Sequence, residues 1–182
     1  LVGLVLALAV LGVGYSAFAP TGNSAAAGPV DTETIAHGKS LFDTSCISCH
    51  GANLEGVDGK GPSLIGAGQA AVYFQLATGR MPAKANGAQM PRAIPVFDRK
   101  GIDAIAAYAQ SRGGGAQLPG SIDIAKAALA RGAELSGLTC ASCHNFTGKG
   151  GALSQGKYAP PLNQATNTEI YAAMLSGPEH MP

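Results

Sequence analysis

The 182-residue chain contains no tryptophan, and 5 phenylalanines with 5 tyrosines make only 5% of it aromatic. The large side chains that fill small cores are scarce, so something other than the chain's own atoms is expected to occupy its interior. Charge is thin as well. Charged residues make up 13% of the chain, the net charge is +1, and no lysine- or arginine-rich run occurs. That balance leaves no electrostatic case for binding nucleic acid. Disorder held open by charge is also excluded, because 46% of the residues are hydrophobic. What the chain does carry is punctuation, with 26 glycines and 11 prolines. Its length suits one ordinary domain or two very small ones.

Residues 1–19 (LVGLVLALAVLGVGYSAFA) contain no charge and almost no polar group, over about the length a bilayer-spanning helix needs. A buried soluble helix with no polar face does not fit. Two readings compete. Ala17-Phe18-Ala19 could be the small-x-small cleavage site of a secretory signal, or the segment could remain as a transmembrane anchor. Length favours the anchor, and Pro20 would hinder cleavage. Either way the remainder is expected outside the cytoplasm. The chain opens at Leu1 without an initiator methionine, so an N-terminal flank is expected to be missing.

Residues 20–30, from Pro20 to Val30, are small, polar and uncharged, and form a linker. A first domain is expected over 31–112. Asp31 or Thr32 would cap its opening helix, and a helix over Phe97–Ser111 would place Ile102, Ile105, Ala106 and Tyr108 inward. A second linker covers 113–121, with three consecutive glycines followed by Pro119-Gly120. The second domain covers 122–182.

The two domains repeat one another. His37 to His50 aligns without a gap on Arg131 to His144, with Gly, Leu, Cys, Ser, Cys and His coinciding. Farther on, Pro62-Ser63-Leu64 matches Pro160-Pro161-Leu162, Tyr73 matches Tyr171, and Thr78-Gly79-Arg80-Met81-Pro82 matches Ser176-Gly177 through Met181-Pro182. The first repeat continues into a helix after its Met-Pro, whereas the second stops there. The matching helix is expected beyond Pro182.

All four cysteines fall in two motifs, Cys46-Ile47-Ser48-Cys49-His50 and Cys140-Ala141-Ser142-Cys143-His144. This pattern attaches haem c covalently. Thiols three positions apart reach the two vinyl groups on one side of a porphyrin, and the following histidine supplies the proximal iron ligand. A four-cysteine zinc site would leave both histidines as coincidence and the pairs too far apart in sequence. Redox disulfides of the thioredoxin kind would need a strand–turn–helix surround that the sequence lacks. A bridge between neighbours three apart would stabilise little. Two covalently bound haem c groups are therefore expected, held by Cys46, Cys49, His50 and Cys140, Cys143, His144. They would supply the missing core, and neither domain is expected to fold well without them.

A methionine sulfur commonly completes such an iron's coordination and raises its potential. Met81 and Met90 both precede proline, and the repeat favours Met81, which follows Tyr73 as Met181 follows Tyr171. Met181 is the candidate for the second haem, with His180 beside it as a competitor. Met174 is expected to pack in the core, and His37 to sit on a helix surface.

These motifs resemble the class I cytochrome c family over nearly all of residues 31–182. The resemblance implies an all-α fold of two tandem class I cytochrome c domains behind an N-terminal transmembrane helix. In that family a helix carrying a glycine, here Gly38 and Gly132, crosses a helix carrying an aromatic residue, here Tyr108. The tandem pair, with Ala71 to Pro82 and Phe97 to Gly115, is more specifically similar to the dihaem cytochrome c subunits of actinobacterial menaquinol–cytochrome c reductases. Those subunits carry a further transmembrane helix after the second haem domain. The resemblance implies a cell-membrane protein with its haems on the extracytoplasmic side. Such a subunit is not catalytic alone. It partners a cytochrome b subunit and a Rieske iron–sulfur subunit, and passes electrons to a haem–copper cytochrome c oxidase. The near-zero net charge agrees with a tethered relay, since a diffusing shuttle relies on a charged face. Alternatives are the dihaem subunit of another haem–copper oxidase, a soluble dihaem shuttle, and a dihaem oxidoreductase. The last needs an open iron position, against which both Met-Pro candidates argue.

Overall fold

The computed structural model describes residues 3–5, 30–85, 87, 89–124, 128–179 and 181. The expected anchor over 1–19 and linker over 20–30 thus lie almost wholly outside the described residues, as does His180. Among the described residues no helix is long and apolar enough to cross a membrane. The rest is mostly helical, and its two halves are built from corresponding pieces.

In the first half, helix α1 (Thr32–Ser45) opens at Asp31, whose carboxylate accepts a bond from the Thr34 amide at 2.7 Å. Helix α2 (Ile47–His50) follows Cys46 directly, and helix α3 (Gly68–Ala77) leads to α4 (Arg99–Gly113). Helix α4 starts two residues later than its apolar pattern suggests. The Asp98 carboxylate accepts from the Gly101 amide at 2.8 Å and so sets the first turn. Its predicted apolar positions Ile102, Ile105, Ala106 and Tyr108 are all buried. Helix α1 crosses α4 at Gly38, where a Cβ would lie 2.0 Å from the Ala104 carbonyl oxygen. Only a residue without a side chain lets the two backbones touch there. One turn on, the Phe42 and Tyr108 rings pack tilted at 55° with centroids 5.4 Å apart.

The glycine-rich stretch after α4 is held down rather than free as far as Leu118. The Ala70 amide donates to the Ala116 carbonyl at 3.0 Å, and the Leu118 amide donates to Gln69 Oε1 at 3.1 Å. Leu118 is buried in the same core as α1, α3 and α4.

The second half runs through helix α5 (Leu129–Leu135), a π-helical turn (Ser136–Cys140), helix α6 (Ala141–His144) and helix α7 (Asn167–Ser176). A two-stranded antiparallel ribbon interrupts it: β1 (Gly151–Ala152) pairs with β2 (Tyr158–Ala159), Gly151 facing Ala159. This ribbon is a departure from an all-α fold. It occupies a longer loop than the first half has at that place. Helix α7 begins in a reciprocal capping box between Thr166 and Glu169, and it packs against α3 of the first half. Ala172 is fully buried there, within the first half's own core cluster. Because α7 turns its Ala172 and Ala173 side to α3, Met174 faces outward and is 56% exposed. The expectation that Met174 packs in the core is therefore wrong.

Candidate functional site

Each Cys-x-x-Cys-His motif forms the end of one helix, a single turn, and a short second helix. In both, the turn leaves the histidine ring facing a loop that follows it. His50 Nδ1 lies 2.8 Å from the Pro62 carbonyl oxygen, and His144 Nδ1 lies 2.9 Å from that of Pro160. A carbonyl can only accept, so Nδ1 carries the proton and donates in both rings. The other nitrogen, Nε2, is thereby left basic and available to a metal. It has no hydrogen-bond partner among the described residues.

The two loops reach this bond by different routes, the proline carbonyl lying 12 residues after His50 and 16 after His144. Both are pinned at the same points. Gly56 and Gly150 donate to the carbonyls of His50 and His144, each at 2.8 Å. Added Cβ atoms at Gly61 and Gly151 would lie 2.7 Å and 3.2 Å from the carbonyl oxygens of Cys49 and Cys143. The ribbon in the second half absorbs the extra length and returns Pro160 to the histidine.

All four cysteines are free thiols. Cys46 packs against the core, and burial pushes its thiol up to about 11. Cys143 is exposed. Among the described residues no three His, Cys, Asp or Glu side chains gather to hold a metal ion. The donor set fits haem c instead: two unpaired thiols spaced three apart, followed by an imidazole whose tautomer is fixed with Nε2 unengaged.

Helices α3 and α7 end alike, at Gly79 and Gly177, each in a left-handed conformation (φ 66° and 52°). Met81 follows the first, half-buried against the core, its amide bonded to the Gln75 carbonyl at 3.0 Å. Met181 follows the second and donates its amide to the Pro178 carbonyl at 3.1 Å. Met90 is half-buried on the loop after Met81.

The seam between the halves holds residues that the sequence did not single out. Arg92 Nη2 grips both carboxylate oxygens of buried Glu169, at 3.1 and 3.0 Å. Gln89 and Tyr158 exchange two bonds, at 2.8 and 3.0 Å. Arg80 is buried beside them, its guanidinium 5.0 Å from the centre of the Phe74 ring. Loss of hydration lowers its pKa from the usual range. Its Nη1 is buried without a hydrogen-bond partner among the described residues.

The fold and turn of the first half define a class: residues 33–108 match the family model described as cytochrome c oxidase, cbb3-type, subunit III, and so form a cytochrome c domain, which implies covalently bound haem c. The full chain places it further. A Mycobacterium tuberculosis protein named cytochrome bc1 complex cytochrome c subunit is 53% identical over 186 residues, covering 98% of this chain and 66% of its own length. Proteins of the same name from Mycobacterium leprae (52% identical, 98% and 64% covered) and Corynebacterium diphtheriae (46% over 197 residues, 98% and 70% covered) are similar to it as well. This chain belongs to the family of cytochrome bc1 complex cytochrome c subunits. It spans about two thirds of the length of these relatives.

Proposed function

We propose that this chain is the membrane-anchored dihaem cytochrome c of a menaquinol–cytochrome c reductase, built from two tandem class I cytochrome c domains with their haems on the extracytoplasmic side. One observation carries the count of two: the same histidine-to-proline bond recurs beside a pair of free thiols in both halves, across loops of unequal length. The name shared by relatives that align over 98% of the chain supports the assembly.

In this reading Cys46 and Cys49 hold one haem by thioether bonds, and Cys140 and Cys143 hold the second. His50 and His144 present Nε2 to the irons, fixed in orientation by Pro62 and Pro160. Met81 and Met181 are the candidate sulfur ligands. Haem c supplies reversible one-electron exchange. The chain's residues would supply the thiol, imidazole and sulfur donors that hold the two haems, and the packing of α7 on α3 joins the two halves. Electrons would arrive from a Rieske iron–sulfur subunit beside cytochrome b, and leave to a haem–copper cytochrome c oxidase.

The match of residues 33–108 to the cbb3-type family model favours a second reading, a subunit of another haem–copper oxidase. Gentle detergent purification of the tagged protein separates the two. The expected result is two covalent haems per chain by pyridine haemochrome, with b- and a-type signals in reduced-minus-oxidised spectra and a Rieske iron–sulfur signal by electron paramagnetic resonance. A haem–copper centre without the Rieske signal would favour the oxidase subunit. A c-type signal alone in the soluble fraction would overturn both.

A further inference from the structure

Among the described residues Arg80 has no anion of its own in a place where it needs one. A guanidinium stays charged in proteins and carries five N–H donors in a rigid fork. Phe74 covers part of this one, yet Nη1 is buried without a partner among the described residues. The charged and titratable groups facing it are Arg92, Glu169, Tyr158 and Glu179. Both carboxylates are already engaged: Glu169 binds Arg92 and the Thr166 amide, and Glu179 binds Lys157 at 3.0 Å. The backbone that carries Arg80 is held in place: Gly79 approaches Ala93 so closely that a Cβ would lie 2.1 Å from its carbonyl oxygen, and the Arg80 amide is bonded to the Gln75 carbonyl. An uncompensated buried charge is expensive, and a planar guanidinium fork matches the geometry of a carboxylate.

We propose that Arg80, held at the seam one residue before Met81, binds a propionate carboxylate of bound haem and thereby raises that haem's potential. The inference rests on the haem reading above. It adds a positioning residue that is neither thioether-forming nor axial. A fixed positive charge on the propionate favours the ferrous state, since reduction adds an electron to the same group. The carboxylate could belong to either haem, because Arg80 extends from the first half and faces residues of the second.

The test compares the wild-type full chain with Arg80→Gln and Arg80→Lys. Pyridine haemochrome comes first. Absence of covalent haem from the wild type would sink the haem reading itself, and with it this inference. With two haems loaded, spectroelectrochemical titration of Arg80→Gln is expected to shift one haem's reduction equilibrium about tenfold toward the oxidised form, about 59 mV for a one-electron couple. Both potentials unchanged would overturn the proposal. Should Arg80→Gln fail to load haem, the conservative Arg80→Lys carries the test by infrared spectroscopy with 13C-labelled propionates. Replacing the fork by a point charge is expected to move the carboxylate stretch, and an unmoved band would overturn the proposal. Met81→Ala, expected to lower the first haem's potential, marks that haem's wave: a shift by Arg80→Gln on the marked wave assigns the carboxylate to the first haem, and a shift on the other wave assigns it to the second.

Discussion

The two halves share a motif, and among the described residues the first encloses its opening helix while the second leaves the corresponding helix exposed. In the first, α1 is pressed onto α4 until Gly38 touches Ala104, and Phe42 is enclosed beside Tyr108. In the second, an ungapped alignment puts Gly132 at the place of Gly38, yet nothing lies within 4 Å of where its Cβ would be. Leu129 is 81% exposed, and every residue of α5 and of the π-helical turn up to Thr139 faces solvent among the described residues. The histidine–proline bond is nevertheless the same in both to within 0.1 Å of donor–acceptor distance. The ligand turn is thus a local structure. In both halves it is fixed by its own loop through the bond between histidine and proline carbonyl.

The sharpest way to break the comparison is to place a side chain at the two glycines. Gly38→Val forces a branched side chain into the Ala104 backbone and is expected to destabilise the first half by about 3 kcal/mol or more. Gly132→Val in the same 182-residue chain is expected to change stability by less than about 0.5 kcal/mol. Urea denaturation followed by circular dichroism measures both. Equal losses would mean that Gly132 is packed in solution as Gly38 is.

Next in size is the tie between the halves. Glu169 accepts both bonds from Arg92 while its own helix start depends on it. Arg92→Ala is expected to cost about 2 kcal/mol by leaving a buried carboxylate without its cation, and Glu169→Ala somewhat more, because the Thr166 capping box is lost as well. A double-mutant cycle on the two isolates the pair. A coupling near zero would mean that the seam is held by α3 against α7 alone.

Much of this was legible in the sequence for physical reasons. The Cys-x-x-Cys-His spacing is a covalent requirement, so it marks the haem turn without reference to the fold. The buried face of α4 follows from helical periodicity at Ile102, Ile105, Ala106 and Tyr108. The seam was hidden because its residues have no periodic signature. Arg92 and Gln89 sit on an irregular loop after Met81, and Arg80 looks like any surface cation until Phe74 and the second half close over it. Met174 misled because an apolar side chain in a short helix says nothing about which side will be covered. Ala172 and Ala173, smaller and flatter, allowed α7 to approach α3 instead.

Thiol chemistry in the haem-free chain sharpens the contrast further. Burial raises the Cys46 thiol from 9.0 to about 11, so between those values the native state keeps a proton that the unfolded chain releases. Stability from this group is therefore full below pH 9 and is lost as pH rises toward 11. Because thiolate is the reactive form, a haem-free chain whose first half still packs would have Cys46 alkylated at pH 9 at least about tenfold more slowly than exposed Cys143. Mass spectrometry of the labelled peptides reads this directly. Equal rates would show that the first half's core does not form without haem.

The smallest expected effect tests whether the second ligand turn carries strain that the first avoids. Gly51 and Asn145 follow their histidines with nearly the same backbone, φ 75° and ψ 158° against φ 65° and ψ 153°. That region is essentially reserved for glycine, and a side chain there costs on the order of 1–3 kcal/mol. Asn145 recovers part of this through its Oδ1, which accepts a bond from the Thr147 amide at 3.2 Å. Asn145→Gly is therefore expected to stabilise the second half by about 1 kcal/mol, measured as a rise in urea midpoint with haem content unchanged. The reverse exchange is not symmetrical. At Gly51 a Cβ would lie 2.4 Å from the Glu55 carboxylate, which itself holds the Asn53 amide. If Asn145→Gly lowered stability instead, the Thr147 bond would outweigh the backbone strain, and the second loop would owe its shape to that side chain rather than to the turn alone.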